Sequence, residues 1–157
     1  MEKLMSVVHR HFYQTSEWIA LGCVGTAIML EYIFPLPKMP QWYLPNAGIG
    51  LVLGAVAILC WCQILFQRSG QSTKPRRPTT KLITWGPYRY SRNPIYVALV
   101  TLIFGVGLMG GWLWVDGSAI VTAFFVRELL ILPEEEYLEK VFNGEYIEYK
   151  KKVRRWI

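Results

Sequence analysis

The sequence predicts an all-α integral membrane protein of about four transmembrane helices followed by a cytoplasmic amphipathic C-terminal helix, in a single membrane domain over residues 1–157. Three observations carry that expectation. Hydrophobic residues make up 53% of the chain, and they fall in long blocks rather than at the three-to-four-residue spacing of a water-bounded helix. The 17 basic residues outnumber the 11 acidic ones and flank the apolar blocks, where Lys and Arg set topology and meet anionic lipid heads. In the tail, Tyr137, Leu138, Val141 and Phe142 recur at helical spacing. The basic excess rides on no soluble module, so no nucleic-acid partner is expected.

Met1 to Ser16, with Lys3, Arg10 and two histidines, reads as an interfacial lead-in. The first apolar block runs from Trp18 to Phe34, and the prolines at 35, 37 and 40 then make a short extramembrane turn. It is too long for a signal-peptide core and is followed by Pro-rich sequence, so it is expected to be a retained span. Glu31, near its end, is expected to snorkel toward the interface. Between Lys38 and Arg68 no residue is charged, which suits a second span, with Trp42 and Tyr43 marking one interface. Gly48, Gly50 and Gly54 give this span small residues at spacings that permit close helix contact.

From Arg68 to Arg92 the chain carries Arg68, Lys74, Arg76, Arg77, Lys81, Arg89 and Arg92, and no Asp or Glu, so this loop is placed in the cytoplasm. A third block starts at Pro94, where the missing N–H of a first-turn proline costs nothing, and breaks at Gly110-Gly111. The fourth block, Val115 to Leu132, contains Asp116 and the pair Arg127–Glu128, and Pro133 is expected to end the membrane portion. Lys150, Lys151, Lys152, Arg154 and Arg155 put the tail on the same side as the loop, so both termini are expected in the cytoplasm.

Cys23, Cys60 and Cys62 lie within apolar blocks and read as small buried hydrophobes. His9 and His11 have no acidic or cysteine partner at ligand spacing, so no metal is expected. Function is expected instead in two polar stretches, Gly86 to Tyr96 and Pro133 to Tyr149, which this topology brings to one membrane face. Their arginines suit a ligand carboxylate, their paired glutamates an ammonium or hydroxyls, and their tyrosines stacking or hydrogen bonds. S-adenosylmethionine has that charge pattern, as do other zwitterions and lipid head groups.

The run Thr84-Trp85-Gly86-Pro87-Tyr88-Arg89-Tyr90-Ser91-Arg92-Asn93-Pro94-Ile95-Tyr96 is followed, after a helical hairpin, by Glu134-Glu135-Glu136-Tyr137-Leu138 and by Phe142-Asn143-Gly144-Glu145-Tyr146 to Tyr149. This order resembles the isoprenylcysteine carboxyl methyltransferase and phospholipid methyltransferase superfamily, particularly its small bacterial members, over residues 79–156. The resemblance implies a methyltransferase of the bacterial inner membrane whose C-terminal half, residues 79–157, holds S-adenosylmethionine at the cytoplasmic face. A lipophilic acceptor would enter from the lipid beside residues 1–78. Arg92, Pro94 and Tyr96 match the family's R-H-P-x-Y element, and Glu134 and Glu135 its paired glutamates. Tyr146, Tyr149 and Arg154 lie in the matching C-terminal segment, and Tyr88 joins them as a pocket wall. Asn93 stands where the prenylcysteine enzymes have histidine; its amide can hydrogen-bond but cannot titrate, so it handles no proton. Asn143-Gly144 likewise replaces the usual Gly-Glu at a turn. No catalytic residue follows from the pattern. A phospholipid amine methyltransferase and a non-catalytic lipid-binding module stay open as alternatives, as do the acceptor atom and the oligomeric state.

Overall fold

The structure, a computed structural model, describes residues 2–38, 44–69 and 82–157, with side chains from Ser16 onward in the first stretch and from Pro45 in the second. The Trp42–Tyr43 interface pair, the loop cations Lys74, Arg76, Arg77 and Lys81, and the His9 and His11 side chains lie outside the described residues. The described chain is helical, without a strand: α1 (Glu2–Ile33), α2 (Leu44–Arg68), α3 (Pro94–Gly110), α4 (Leu113–Val126), α5 (Leu132–Phe142) and α6 (Gly144–Lys152). α2 packs on α3, α3 on α4, and α4 on α1.

Two of these helices are long and apolar enough to cross a membrane, over Ser16–Ile33 and Pro45–Arg68. Only 11% and 17% of the residues in those apolar windows are buried inside the protein, the reverse of a soluble core helix. Trp18, Leu21 and Met29 on α1, and Leu53, Trp61 and Ile64 on α2, are exposed. Such faces suit lipid, and the protein is membrane-associated. α3, also apolar, has 17 residues, and α4 has 14 before its geometry changes.

The α2–α3 contact is made close by glycines. A Cβ on Gly48 would lie 2.6 Å from the Gly105 carbonyl oxygen and 2.8 Å from the Met109 nitrogen. Gly50 and Gly54, the other two small residues of that run, face open space. Small side chains also dominate the α1–α4 seam, where Ala20 and Ala27 meet Ile103, Val115 and Ala119. Trp114 Nε1 closes its end by donating to the Phe34 carbonyl at 2.9 Å.

α3 ends at Gly111, whose φ of 65° lets its N–H turn back to the Gly107 and Leu108 carbonyls. α4 does not stop before Pro133. It widens into a π-turn over Arg127–Ile131, with the Leu132 N–H reaching the Arg127 carbonyl, and runs on as α5. A proline there has no N–H for the carbonyl four residues back and crowds it; the wider turn accommodates both effects. The expected single amphipathic tail helix is two short ones. Asn143, at φ 41°, breaks the run between α5 and α6, a positive φ that residues other than glycine adopt rarely.

Candidate functional site

The site begins with the turn after the second described stretch. Gly86 has φ 65°, and a side chain there would collide with Leu65 of α2. Pro87 follows in the 3₁₀ turn Gly86–Arg89, and its carbonyl accepts the Tyr90 and Ser91 N–H groups. Tyr88 sets its ring edge-to-face on Phe66, centroids 6.1 Å apart. The chain leaving this turn is then bound to the C-terminus. The Arg92 N–H donates to the Arg154 carbonyl at 3.0 Å, and the Arg155 carbonyl accepts from Asn93 Nδ2 at 3.1 Å and from Ser91 Oγ at 3.3 Å. Asn93 therefore spends its amide on holding two distant segments together, while its own carbonyl starts α3 by accepting from Tyr96 and Val97. Pro94 is buried behind it.

That seam aims the Arg92 side chain at α5. Glu135 is 5% exposed, and its carboxylate lies between two guanidiniums. Arg155 takes it with both ends of its fork, Nε to Oε1 at 3.0 Å and Nη2 to Oε2 at 2.9 Å. Arg92 Nη1 stands 3.2 Å from Oε1. The latter contact is an ion pair without hydrogen-bond alignment, because Arg92 Nε and Nη1 are both buried with no acceptor. Glu135 hydrogen-bonding pushes the Arg155 pKa further up.

α6 closes the floor. Tyr146, 1% exposed, is pushed up to about 12, chiefly by burial, with the Glu135 charge adding and Arg92 opposing. Tyr149 is raised as well, again by burial, and its hydroxyl donates to the Tyr88 carbonyl at 2.6 Å. Both phenols stay protonated at neutral pH.

Glu134 turns the other way. Its Oε2 accepts from the Tyr96 hydroxyl at 3.2 Å, and among the described residues no cation forms an ion pair with it. The side chain keeps some exposed surface, yet the protein around it is dense. Burial pushes its pKa from 4.5 up to about 7, with Tyr96 opposing and the neighbouring Glu135 charge adding. Tyr96 itself belongs to an apolar cluster with Val126, Leu130 and Ile131, flanked by Ile19 of α1 and by Trp156.

Between α5 and α6 lies an open cleft of about 640 Å³, where Glu135 and Arg155 meet Glu139, Asn143 and Lys150. Lys150 and Glu139 pair across it at 2.7 Å. Arg127 and Glu128, at apolar depth, pair with each other on the π-turn. Among the described residues no three His, Cys, Asp or Glu side chains gather as a metal site.

Of the residues singled out from sequence, Tyr88, Arg92, Asn93, Pro94, Tyr96, Glu134, Glu135, Tyr146 and Tyr149 converge here. Arg154 brings only its carbonyl; its side chain is exposed. Arg155, which joins Arg92 on Glu135, and Ser91 are two residues the motif reading passed over. The chain is extended at Val153, φ −124° and ψ 132°, so successive side chains leave it on opposite sides and one arginine of the tandem faces inward. The Arg-Arg pair itself was the visible signal.

Apolar helices faced for lipid, with a charged, tyrosine-rich cluster where α3 and α5 begin, define a membrane-associated protein with a polar cluster at the edge of its helices. The family model for phospholipid methyltransferase matches residues 45–145. The chain belongs to that family, and methyl transfer is its general activity. An uncharacterized protein of Haemophilus influenzae is 38% identical over 55 residues, which is 32% of this chain and 87% of the relative. No solved structure matches.

Proposed function

We propose that the protein is an S-adenosylmethionine-dependent methyltransferase acting on a lipophilic acceptor, with the family match favouring a phospholipid over an isoprenylcysteine. One observation carries the reading. The Arg92 guanidinium is buried with two nitrogens lacking acceptors, one residue along α5 from the Glu135 it pairs with stands a carboxylate without a cation, and a cleft opens at the Glu135–Arg155 pair. Unmet groups of opposite sign in one cluster fit a zwitterion. The cofactor would supply a methyl group already activated on a sulfonium.

Arg92 would hold the cofactor carboxylate, and Arg155, by occupying Glu135, keeps that carboxylate from claiming Arg92 fully. Tyr88, Tyr146 and Tyr149 would wall the pocket and exclude water, and Glu134 would take positive charge. Burial of the cluster strengthens each of these contacts. Alignment of acceptor and methyl group is the remaining demand. Residues 1–78 would supply the acceptor side, with Ile19 already packed at the Tyr96 cluster. Four spans with both termini cytoplasmic, in a bacterial inner membrane, are the matching topology.

Calorimetric titration of S-adenosylmethionine and S-adenosylhomocysteine into the detergent-purified protein tests this reading. Micromolar binding that Arg92→Ala abolishes is the expected result. A folded preparation that binds neither compound would rule it out in favour of a non-catalytic lipid-binding module.

A further inference from the structure

Arg127 and Glu128 stand on the π-turn, outside the Arg92–Glu135–Arg155 cluster. They are neighbours in sequence, so their ion pair ties no two elements together. Successive side chains on a helix diverge by about 100°, and these two bend toward each other. The Arg127 side chain is 43% exposed. Among the described residues its guanidinium makes one hydrogen bond, from Nη1 to Glu128 Oε1, which leaves Nε and Nη2 for a ligand. Phe124, Phe125 and Leu129, on either side of it in the chain, are exposed apolar residues. The depth follows from packing. Val126 meets Tyr96, and Ile19 of α1 lies against the same cluster. Trp18, next to Ile19 at the start of an apolar span, is exposed, and a tryptophan so placed marks the head-group level of a membrane. An arginine at that level extends toward the lipid phosphates.

We propose that Arg127 binds the phosphate of a membrane phospholipid, with Phe124, Phe125 and Leu129 along its acyl chains, and that Glu128 competes with that phosphate for the guanidinium. A guanidinium fork matches two phosphate oxygens, and phosphate is the anion that every bilayer phospholipid carries at this level. The site takes that phosphodiester whatever head group lies beyond it, and it does not depend on methyl transfer. Glu128 can give way because a second cation is near: its charge already helps hold the proton of Arg155. The exposed apolar residues and the half-open arginine thus form one amphipathic surface, matched in chemistry to one lipid molecule.

Native mass spectrometry of the full chain in detergent tests this, with phosphatidylglycerol, diacylglycerol of the same acyl chains, and inorganic phosphate as separate titrants. Arg127→Gln should weaken phosphatidylglycerol binding about tenfold. Glu128→Gln, which removes the competitor, should tighten it about threefold. Lys151→Gln takes the same charge from the exposed tail and should leave binding unchanged. Diacylglycerol should bind weakly, and equally to wild type and Arg127→Gln. A pair that served packing alone would not move the two variants in opposite directions. Unchanged or lower affinity in Glu128→Gln therefore overturns the proposal, as does wild-type affinity in Arg127→Gln; should Arg127→Gln fail to fold, Glu128→Gln decides alone. If Lys151→Gln weakens binding as much as Arg127→Gln, net charge holds the lipid and the proposal is wrong. It is equally wrong if inorganic phosphate binds through Arg127 as tightly as the lipid, because the site then belongs to a free anion.

Discussion

Arg155 closes on Glu135 with two parallel hydrogen bonds, 3.0 and 2.9 Å, from a position 20 residues further along the chain. This fork joins the C-terminal segment to α5, and through the hydrogen bonds that Ser91 Oγ, the Arg92 N–H and Asn93 Nδ2 donate to the Arg154 and Arg155 carbonyls it also fixes the start of α3. Three parts of the chain therefore share one carboxylate.

Removing that carboxylate strands two guanidiniums. Glu135→Gln is expected to cost about 3 kcal/mol, the range found when one partner of a buried ion pair is lost. Arg155→Lys should recover little of what Arg155→Ala loses, because an ammonium cannot reproduce the fork. Thermal unfolding in detergent checks both, and a Glu135→Gln protein as stable as wild type would contradict the assignment.

Glu134 should behave in the opposite sense. Its folded pKa is raised from 4.5 to about 7, so the folded state binds the proton more tightly than the unfolded one. Its stability contribution is full below the unfolded value and is lost as pH rises through the folded value. The Tm of Glu134→Gln relative to wild type is therefore expected to climb between about pH 5 and about pH 8. A difference that is flat across this window would show that Glu134 ionises normally.

Tyr149 holds the 3₁₀ turn through its 2.6 Å bond to the Tyr88 carbonyl. Tyr149→Phe should cost about 1 kcal/mol and speed hydrogen exchange at the Tyr90 and Ser91 amides, which bond to Pro87 in the same turn. Equal exchange in the two proteins would mean that the turn is held from elsewhere.

Gly48 and Gly50 offer a paired test of helix packing. A methyl on Gly48 would meet backbone at 2.6 and 2.8 Å, whereas one on Gly50 meets nothing within 4 Å. Gly48→Ala should destabilise by about 1 to 3 kcal/mol through overpacking. Gly50→Ala should gain up to about 1 kcal/mol from helix propensity. Circular dichroism melts of the two variants decide it.

Much of the fold was legible because its causes are local. An apolar run without charge needs no tertiary partner to be read as a long helix, and α2 lies where the charge-free stretch between Lys38 and Arg68 placed it. Pro94 and Gly110-Gly111 bracket α3 to the residue, since a first-turn proline and a left-handed glycine act on the backbone within a few bonds. Asn143-Gly144 was visible as a turn, yet its consequence, two tail helices instead of one, depended on a φ that the residue types permit but do not impose. The π-turn was hidden for a similar reason. Pro133 announces a disturbance, and whether a helix stops or widens there depends on what packs around it.

At the site, composition and order were enough to name the two polar stretches and nearly all the residues that meet between them. They could not say which carboxylate is consumed and which is left open. Adjacent residues on a helix point about 100° apart, so the rotation of α5 sends Glu135 to Arg92 and Arg155 and Glu134 to Tyr96. That rotation is set by contacts with α3 and the C-terminal segment, the Tyr96 partner of Glu134 lying 38 residues away in the chain and the Arg155 partner of Glu135 lying 20 away. Residue chemistry is written along the chain; the pairing of charges is a matter of distance in space, and folding supplies it.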